Sequence, residues 1–189
     1  QTFTGANTFT GSVTVSSFTA TAFTSPTAWT LVCSTRTAVA ISALTCPSLT
    51  GAGSYRVVVD VYKAGTASHI WLRFNGDTGN NYRFITQARA VITGAGAQGS
   101  NSYSVWELSN IDPVLSGEVF FADITFMTSI ATDIAVRGIW NSSFINSAGN
   151  YEVVNGGGFY NGASAPSSLT ISTNAGTFYG NIKVFKASN

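Results

Sequence analysis

The residues best able to perform chemistry are few and widely spaced in this chain. It contains eight carboxylates and a single histidine, His69, among 189 residues. Glycoside hydrolysis needs two carboxylates at a fixed separation, and a Ser–His–Asp triad needs a histidine as its base. No local motif pairs the carboxylates, although pairing in space stays open, and no GxSxG motif accompanies His69. The sequence therefore predicts no catalytic residue, and we expect that the protein is not an enzyme.

The segment NGDTGNN at residues 75–81 places several oxygen ligands close together. Asn75, Asp77, Asn80 and Asn81 offer the oxygens that calcium prefers. The segment has one carboxylate, however, and lacks the distal glutamate of an EF-hand loop. A β-turn capped by Asn and Asp side chains is the interpretation we favour. Neither a metal nor a cofactor is predicted.

The cysteines and the glycine-rich segments give little support to a binding site. Cys33 and Cys46 are the only cysteines. A disulfide is one interpretation, but we favour two small apolar side chains in or beside neighbouring strands. Zinc would find only His69 as a further soft ligand. GAGAQG (94–99) and NGGGFYNG (155–162) do not link a strand to a helix, so flexible loops explain them better than phosphate binding does.

Aromatic side chains close to Asn, Ser and Gly are the most informative candidates. Sugar sites stack aromatic rings on the apolar face of a pyranose and bond its hydroxyls through Asn, Asp and Arg. The same residue types also fill subunit interfaces, and burial is the usual fate of any single one. The predicted ligand-binding set comprises Trp106, Trp140, Asn141, Tyr151, Asn155, Tyr160 and Asn161.

The charge balance excludes several classes of partner. Nine basic and eight acidic residues give a net charge of +1. Nucleic-acid binding needs a basic stripe that neutralises phosphates, so we expect no nucleic-acid partner. No apolar run approaches the roughly 18 residues of a membrane span, so we expect no membrane insertion.

Short alternating segments separated by turns predict the elements that must position these residues. Charged residues are only 9% of the chain, and Thr, Ser, Asn and Gly are abundant, which is typical of all-β proteins. SYRVVVDVYKA (54–64) alternates with its valines on one face. We count about eight to ten such strands and no amphipathic helix. The predicted fold is an all-β, jelly-roll-like antiparallel β-sandwich, with an Ig-like sandwich as the rival.

Two of the predicted strands have an irregular pattern. GEVFFADITFM (117–127) alternates through Val119, Phe121, Ile124 and Phe126, with an irregularity near Ala122 that predicts a bulge. YEVVNGGGFYNG (151–162) predicts two strand fragments around a glycine run.

The first residues differ from the rest of the chain. TFTGAN (2–7) is followed by TFTGSV (8–13), and no charge occurs before Arg36. A single short repeat cannot bury its apolar face alone and must stack on neighbours or on other chains. We therefore predict a β-stem over residues 1–27, built by several chains, and a β-sandwich knob over residues 28–189. A Thr-rich linker is the alternative for the stem.

Three motifs resemble segments of a known group of proteins. WLRFNGDTGNNY (71–82) resembles a segment of bacteriophage tail fibre, baseplate and receptor-binding proteins, in which an RFNGD-x-G-x-NY hairpin follows a strand. SLTISTNAGTFYGNIKVFKA (168–187) resembles their closing hairpin, and the TFTG repeat is similar to those of their stems. Residues from about 93 to 165 carry no matching motif.

The resemblance implies a homotrimeric virion adhesin. Such a protein is the receptor-binding tip of a phage tail fibre, attached to the rest of the tail and exposed to the extracellular medium. It binds a bacterial surface structure, often a polysaccharide and otherwise a protein receptor, without catalysis. The matched residues are expected to hold the hairpin rather than touch the receptor: Arg73, Asn75, Gly76, Asp77, Gly79, Asn81 and Tyr82.

Three other functions stay open at this point. The knob could be a structural trimerisation or penetration tip of a tail needle. It could also be a tail-spike glycosidase, or a carbohydrate-binding module of a secreted enzyme.

Overall fold

The computed structural model of the protein describes residues 28–90, 94–110, 112–128 and 135–187. The predicted stem, residues 1–27, lies outside the described residues. The described part of the chain is built of β-strands without helices. The strands are β1 (Trp29–Ile41), β2 (Ala43–Cys46), β3 (Gly53–Ala64), β4 (Ile70–Phe74), β5 (Tyr82–Ala90), β6 (Gly94–Tyr103), β7 (Trp106–Glu107), β8 (Val119–Thr128), β9 (Ala135–Ile145), β10 (Tyr151–Asn161), β11 (Leu169–Thr173) and β12 (Thr177–Ala187).

Two antiparallel sheets contain these strands. The eight-stranded sheet has the order β1-β12-β3-β8-β9-β10-β5-β6, and the four-stranded sheet has the order β2-β11-β4-β7. The all-β, antiparallel prediction is confirmed, and the arrangement is consistent with a β-sandwich. In each sheet, one face carries the buried apolar side chains and the other carries more exposed ones.

Strand alternation determines which side chains enter the core. On β3, Val57, Val59 and Val61 are buried as the sequence predicts. On β8 the predicted phase is right for Ile124 and Phe126 but wrong for Val119 and Phe121, which are exposed; Phe120 and Ala122 are buried in their place. The register of β8 with both neighbours is continuous, so the predicted bulge at Ala122 is absent. Two apolar residues therefore point outward from the sheet.

The glycine-rich segments are strands and not flexible loops, which corrects the prediction. Residues 151–161 form one continuous strand, β10, and β6 spans residues 94–103. A Cβ on Gly156 would overlap the indole of Trp140, and a Cβ on Gly158 would lie 2.6 Å from Nε1 of Trp106. These two indoles stack with ring centroids 5.6 Å apart. The glycines are therefore needed to admit two tryptophans to the core.

A disulfide joins the two sheets. Cys33 on β1 is bonded to Cys46 on β2, with their Cα atoms 6.0 Å apart. β1 belongs to the eight-stranded sheet and β2 to the four-stranded one. The favoured interpretation of two unlinked apolar cysteines is therefore wrong. The bond fixes the outermost strand of the large sheet to the edge of the small one.

Both segments that were expected to form hairpins connect the two sheets instead. β4 pairs with β11 and β7, whereas β5 pairs with β10 and β6. β11 likewise pairs in the small sheet and β12 in the large one. The turn between β4 and β5 is held by Asp77, which accepts hydrogen bonds from the amide of Gly79 at 2.7 Å and from Asn81 Nδ2 at 2.8 Å. Asp77 therefore caps the turn, as the turn interpretation requires.

Candidate functional site

Three of the seven predicted ligand-binding residues lie in the core. Trp106, Trp140 and Tyr160 are at most 1% exposed. Nε1 of Trp106 donates to the carbonyl of Phe159 at 3.2 Å, and Tyr160 lies against Tyr82 with ring centroids 4.6 Å apart. Their interpretation as exposed, ligand-stacking aromatics is wrong, because they project inward from β7, β9 and β10 and fill the space between the sheets.

The other four predicted residues share the outer face of the eight-stranded sheet. Asn141, Tyr151, Asn155 and Asn161 are all exposed. Asn155 lies directly opposite Asn141 across the β9–β10 pair. Tyr151 and Asn161 stand at opposite ends of β10, about 33 Å apart at the usual rise of a strand. The structure therefore brings the two central asparagines together but does not gather all four around one ligand.

The half of this outer face formed by β8, β9, β10 and β5, here called the apolar half, exposes large apolar side chains. Ile85, Met127 and Ile139 are 68%, 62% and 64% exposed. One polar row crosses this half, because register aligns Asp123, Asn141, Asn155 and Gln87 on successive strands. Exposed apolar surface of this kind is typical of contacts with another protein.

The other half of the same face, formed by β1, β12 and β3, contains a groove of about 580 Å³. We call it the tyrosine groove. Register places Arg36 beside Asn181 and Asn181 beside Asp60, in one row across the three strands. Lys183 lies one row further along β12. The full lining is Ser34, Arg36, Thr37, Ala38, Asp60, Tyr62, Val119, Tyr179, Gly180, Asn181 and Lys183.

Two tyrosines provide the aromatic surface of the groove. Tyr62 and Tyr179 are opposite each other in the β3–β12 pair, and their rings stack with centroids 4.8 Å apart at 25°. Both stay partly open to solvent, at 36% and 38% exposure. A stacked, half-exposed pair offers a sugar ring an apolar platform that needs little ordering on binding.

Four of the polar side chains of the groove are free to bind a ligand. Within the described part of the chain, Arg36, Asp60, Asn181 and Lys183 make no side-chain hydrogen bond and no ion pair. Elsewhere on the same face, Arg56 is engaged with Asp123 at 2.5 Å. The groove thus combines an aromatic pair with hydrogen-bonding groups of both polarities, which is the chemistry that sugar recognition uses.

Two local irregularities shape the groove. Thr37 pairs with Gly180, and Ile41 pairs with Phe178, so β1 uses more residues than β12 over this stretch and bulges outward. Thr37 Oγ1 donates to the carbonyl of Val39 at 2.8 Å, which holds the bulge. Gly180 has φ +143°, and a Cβ there would collide with the carbonyl oxygen of Asp60. A bulge and a glycine therefore form one wall and part of the floor.

A second concentration of polar groups is largely enclosed by the fold. We call it the buried cluster; Glu107, Asn110, Asn146 and Glu152 are buried, and His69 and Asp112 are partly exposed. Nδ1 of His69 lies 2.5 Å from Oε1 of Glu107 and 3.0 Å from the carbonyl oxygen of Asn110. Burial lowers the pKa of His69, but the hydrogen bond and charge of Glu107, helped by Asn110, more than offset this and raise that pKa above 6.5.

Glu152 and Asp112 form the carboxyl pair that the sequence did not reveal. Glu152 is fully buried, and its Oε2 accepts a hydrogen bond from Asn146 Nδ2 at 3.1 Å. Burial raises the pKa of Glu152 above 4.5; Asn146 lowers it, while the charge of Asp112 and a hydrogen bond with Asp112 raise it further. Asn146 Nδ2 also lies 3.5 Å from Asp112 Oδ2, so the two carboxyls share one amide donor. Glu152 is closed to solvent, and its raised pKa means that ionising it lowers the stability of the fold.

The sequence pattern predicts the exposure of only one of the two tyrosines that form the groove. Alternation along β3 places Tyr62 on the face opposite to the buried valines, so its exposure could have been predicted. Its partner Tyr179 is far away in sequence, and only sheet topology brings the two rings together.

Comparisons with known proteins add no relative. No family model, no curated protein and no solved structure matches the chain. Among the described residues, no group of three or more His, Cys, Asp or Glu side chains is placed to hold a metal ion. The described residues likewise contain no helix that is long and apolar enough to cross a membrane.

Proposed function

We propose that the protein is a non-catalytic adhesin whose tyrosine groove binds a glycan on the surface of bacteria. The observation that carries this proposal is the pairing of two half-exposed, stacked tyrosines with four polar side chains that have no partner among the described residues. Unpaired polar groups beside an aromatic platform cost the free protein little, because water satisfies them, and they can exchange that water for sugar hydroxyls.

We further propose that this adhesin is the tip of a bacteriophage tail fibre, exposed on the virion. The support is the sequence resemblance in residues 71–82 and 168–187, which connect the two sheets rather than forming the expected hairpins, together with the all-β scaffold. The Cys33–Cys46 disulfide suits a protein that works outside a reducing cytosol. Many weak sites on one virion would add through avidity, so a shallow groove is sufficient for attachment.

The finer architecture belongs to the same proposal. We propose a jelly-roll-like sandwich preceded by a stem at residues 1–27 and assembled as a homotrimer. The apolar half supports a contact between subunits, because Ile85, Met127 and Ile139 are exposed together on one flat face. The same observation favours a second candidate function, a purely structural tip. In that case the apolar half packs against another subunit and the groove binds no ligand.

The scattered acid groups support the choice of binding over hydrolysis. The tyrosine groove holds one carboxylate, Asp60, whereas glycoside hydrolysis uses two. The paired carboxyls Asp112 and Glu152 are in the buried cluster. Release of oligosaccharide from a bacterial polysaccharide by the purified chain would contradict this choice.

The test is adsorption of the labelled full chain to a panel of bacterial strains. We expect saturable binding to some strains, and we expect Tyr62→Ala to weaken it about tenfold, since aromatic stacking contributes about 0.5–1.5 kcal/mol beyond area burial. Tyr151→Ala is the matched control, because Tyr151 is also an exposed tyrosine on this face but lies outside the groove. Equal losses in both variants, or binding that never saturates, would contradict the proposal.

Light scattering on the same material tests the assembly. A trimer has about three times the 19.8 kDa mass of one chain. A monomer that binds soluble glycans would instead favour a carbohydrate-binding module of a secreted enzyme.

A further inference from the structure

We infer that the tyrosine groove selects an acidic polysaccharide, in which a sugar bearing an anionic group is held by Arg36 and Lys183. This inference rests on the proposed glycan-binding function and specifies the ligand of that site. A pyranose ring would lie against the Tyr62–Tyr179 pair, and its hydroxyls would donate to Asp60 and accept from Asn181.

The charges of the groove favour an anion at one side. Arg36 and Lys183 are two cations on neighbouring strands, and Asp60 is the single carboxylate. Neither cation has an ion-pair partner among the described residues, although Arg56 on the same face is paired with Asp123. A guanidinium binds a carboxylate or phosphate through two parallel hydrogen bonds, and the nearby ammonium adds a second donor.

The spacing of the strands separates the group that would bind the anion from the groups that would bind the ring hydroxyls. Arg36 and Asp60 lie two strands apart with Asn181 between them, which corresponds to about 10 Å at the usual strand spacing. One sugar ring and its anionic substituent span a comparable distance. The anion can therefore reach Arg36 while ring hydroxyls reach Asn181 and Asp60.

Asp60 restricts the ligand to a molecule that is anionic at one end only. A carboxylate accepts hydrogen bonds from hydroxyls but repels a second anion. A uniform polyanion would place a negative group against Asp60. A polysaccharide with one anion per repeat and free hydroxyls matches the groove better than a nucleic acid or a densely sulfated chain does.

Equilibrium binding of the full chain to three probes tests the inference. The probes are three methyl galactosides of one ring each: the galacturonate, the neutral galactoside and the galactoside 6-phosphate, so that each carries at most one anionic group. We expect at least one anionic probe to bind about tenfold more tightly than the neutral one, since hydrogen bonds to charged groups are the stronger ones. The better of the two anionic probes identifies the anion as carboxylate or phosphate, and its affinity should fall as salt is added.

Variants at the two cations separate the inference from a general charge effect. Arg36→Gln with Lys183→Gln should abolish the preference for the anionic probe. Arg89→Gln is the control for a single lost charge, because Arg89 is exposed on the same face but does not line the groove. If Arg89→Gln reduces the preference for the anionic probe as much as Arg36→Gln alone does, the inference is overturned.

Adsorption to bacterial cells distinguishes failure of the inference from failure of the proposed function. If Tyr62→Ala loses adsorption while Arg36→Gln with Lys183→Gln keeps it, the groove binds a neutral glycan and only the inference fails. If Tyr62→Ala keeps adsorption, the groove is not the receptor site and both fail. If none of the three probes binds, reduced adsorption of the Arg36→Gln/Lys183→Gln variant still supports the inference, and unchanged adsorption overturns it.

Discussion

Polar side chains on the inner face of the eight-stranded sheet and in the tyrosine groove on its outer face differ in their hydrogen-bond partners. On the inner face, Nζ of Lys63 donates to the carbonyls of Ala64 and Thr177 at 2.9 and 3.0 Å. Thr86 and Ser142 donate to Asn110 Oδ1 and to the carbonyl of Leu108, each at 2.6 Å. On the outer face, four side chains of the tyrosine groove lack such partners within the described chain: Arg36, Asp60, Asn181 and Lys183.

This difference separates structural polar groups from those available to a ligand. A buried polar group is usually hydrogen-bonded within the protein, since leaving it unpaired costs about 1–3 kcal/mol; Nε1 of Trp140 and Oε1 of Glu152 are among the exceptions in the described residues. An exposed group has water as its partner and can exchange it. We therefore expect substitutions on the inner face to change stability, and substitutions in the groove to change binding.

The largest effect should come from two adjacent glycines of β10 that face opposite ways. Gly156→Ala forces a methyl group into the indole of Trp140, whereas the nearest atom to a Cβ on Gly157 is 3.8 Å away. We expect Gly156→Ala to lower the free energy of unfolding by about 3 kcal/mol, and Gly157→Ala to leave it nearly unchanged. Urea denaturation of both variants measures this contrast. Similar losses in both would mean that the two faces are equally constrained.

A smaller loss is expected at Asn146 in the buried cluster. Asn146→Ala removes the donor to Glu152 and the acceptor of the amides of Ala148 and Asn150, which lie 3.1 and 3.0 Å from its Oδ1. We expect a loss of about 1–3 kcal/mol in the free energy of unfolding. Thermal unfolding measures the loss, and adsorption to cells should be unaffected at temperatures where the variant is folded. A specific loss of adsorption would show that the cluster also serves binding.

The pH dependence of stability should report the buried cluster. The pKa of Glu152 is raised above 4.5 and that of His69 above 6.5, so the folded protein keeps protons that the unfolded chain releases. The free energy of unfolding should therefore fall as the pH rises from 4.5, and again as it rises past 6.5. Denaturant titrations between pH 5 and 8 measure it, and Glu152→Gln should remove the lower part of the change. A stability that rises over this interval would contradict the assignment.

The smallest effect should come from the outer ion pair. Arg56 and Asp123 are 2.5 Å apart, but their side chains are 45% and 30% exposed. Exposed pairs contribute about 0–1 kcal/mol, so a double-mutant cycle with Arg56→Gln and Asp123→Asn should give a coupling energy within that range. A coupling energy well above 1 kcal/mol would mean that this exposed pair contributes to stability as much as the inner-face hydrogen bonds do.

The sequence predicted the strands better than it predicted their orientation and partners. Alternation identified the buried valines of β3, because one face of that strand is uniformly apolar. It failed at Phe120 and Phe121, since adjacent phenylalanines leave the phase of β8 undetermined. Gly156 and Gly158 suggested a loop, because only the tryptophans packed against them reveal why a strand needs glycine there.

The candidate site was harder to predict than the fold. Asn141 and Asn155 are exposed, but the large aromatics predicted with them, Trp106, Trp140 and Tyr160, fill the core. Tyr62 and Tyr179 meet through a pairing of distant strands, and no local pattern encodes that pairing.

The position of the disulfide also has a mechanical consequence. Trp29 and Ala187 pair at the open end of β1 and β12, so a pull on the two ends would separate these strands one hydrogen bond at a time. This peeling would stop at Cys33, where the covalent bond passes the load to Cys46 in the other sheet. In single-molecule pulling, reduction of the disulfide should therefore allow β1 to detach beyond residue 33 at low force. The bond acts as a clamp against forces that enter through the chain ends.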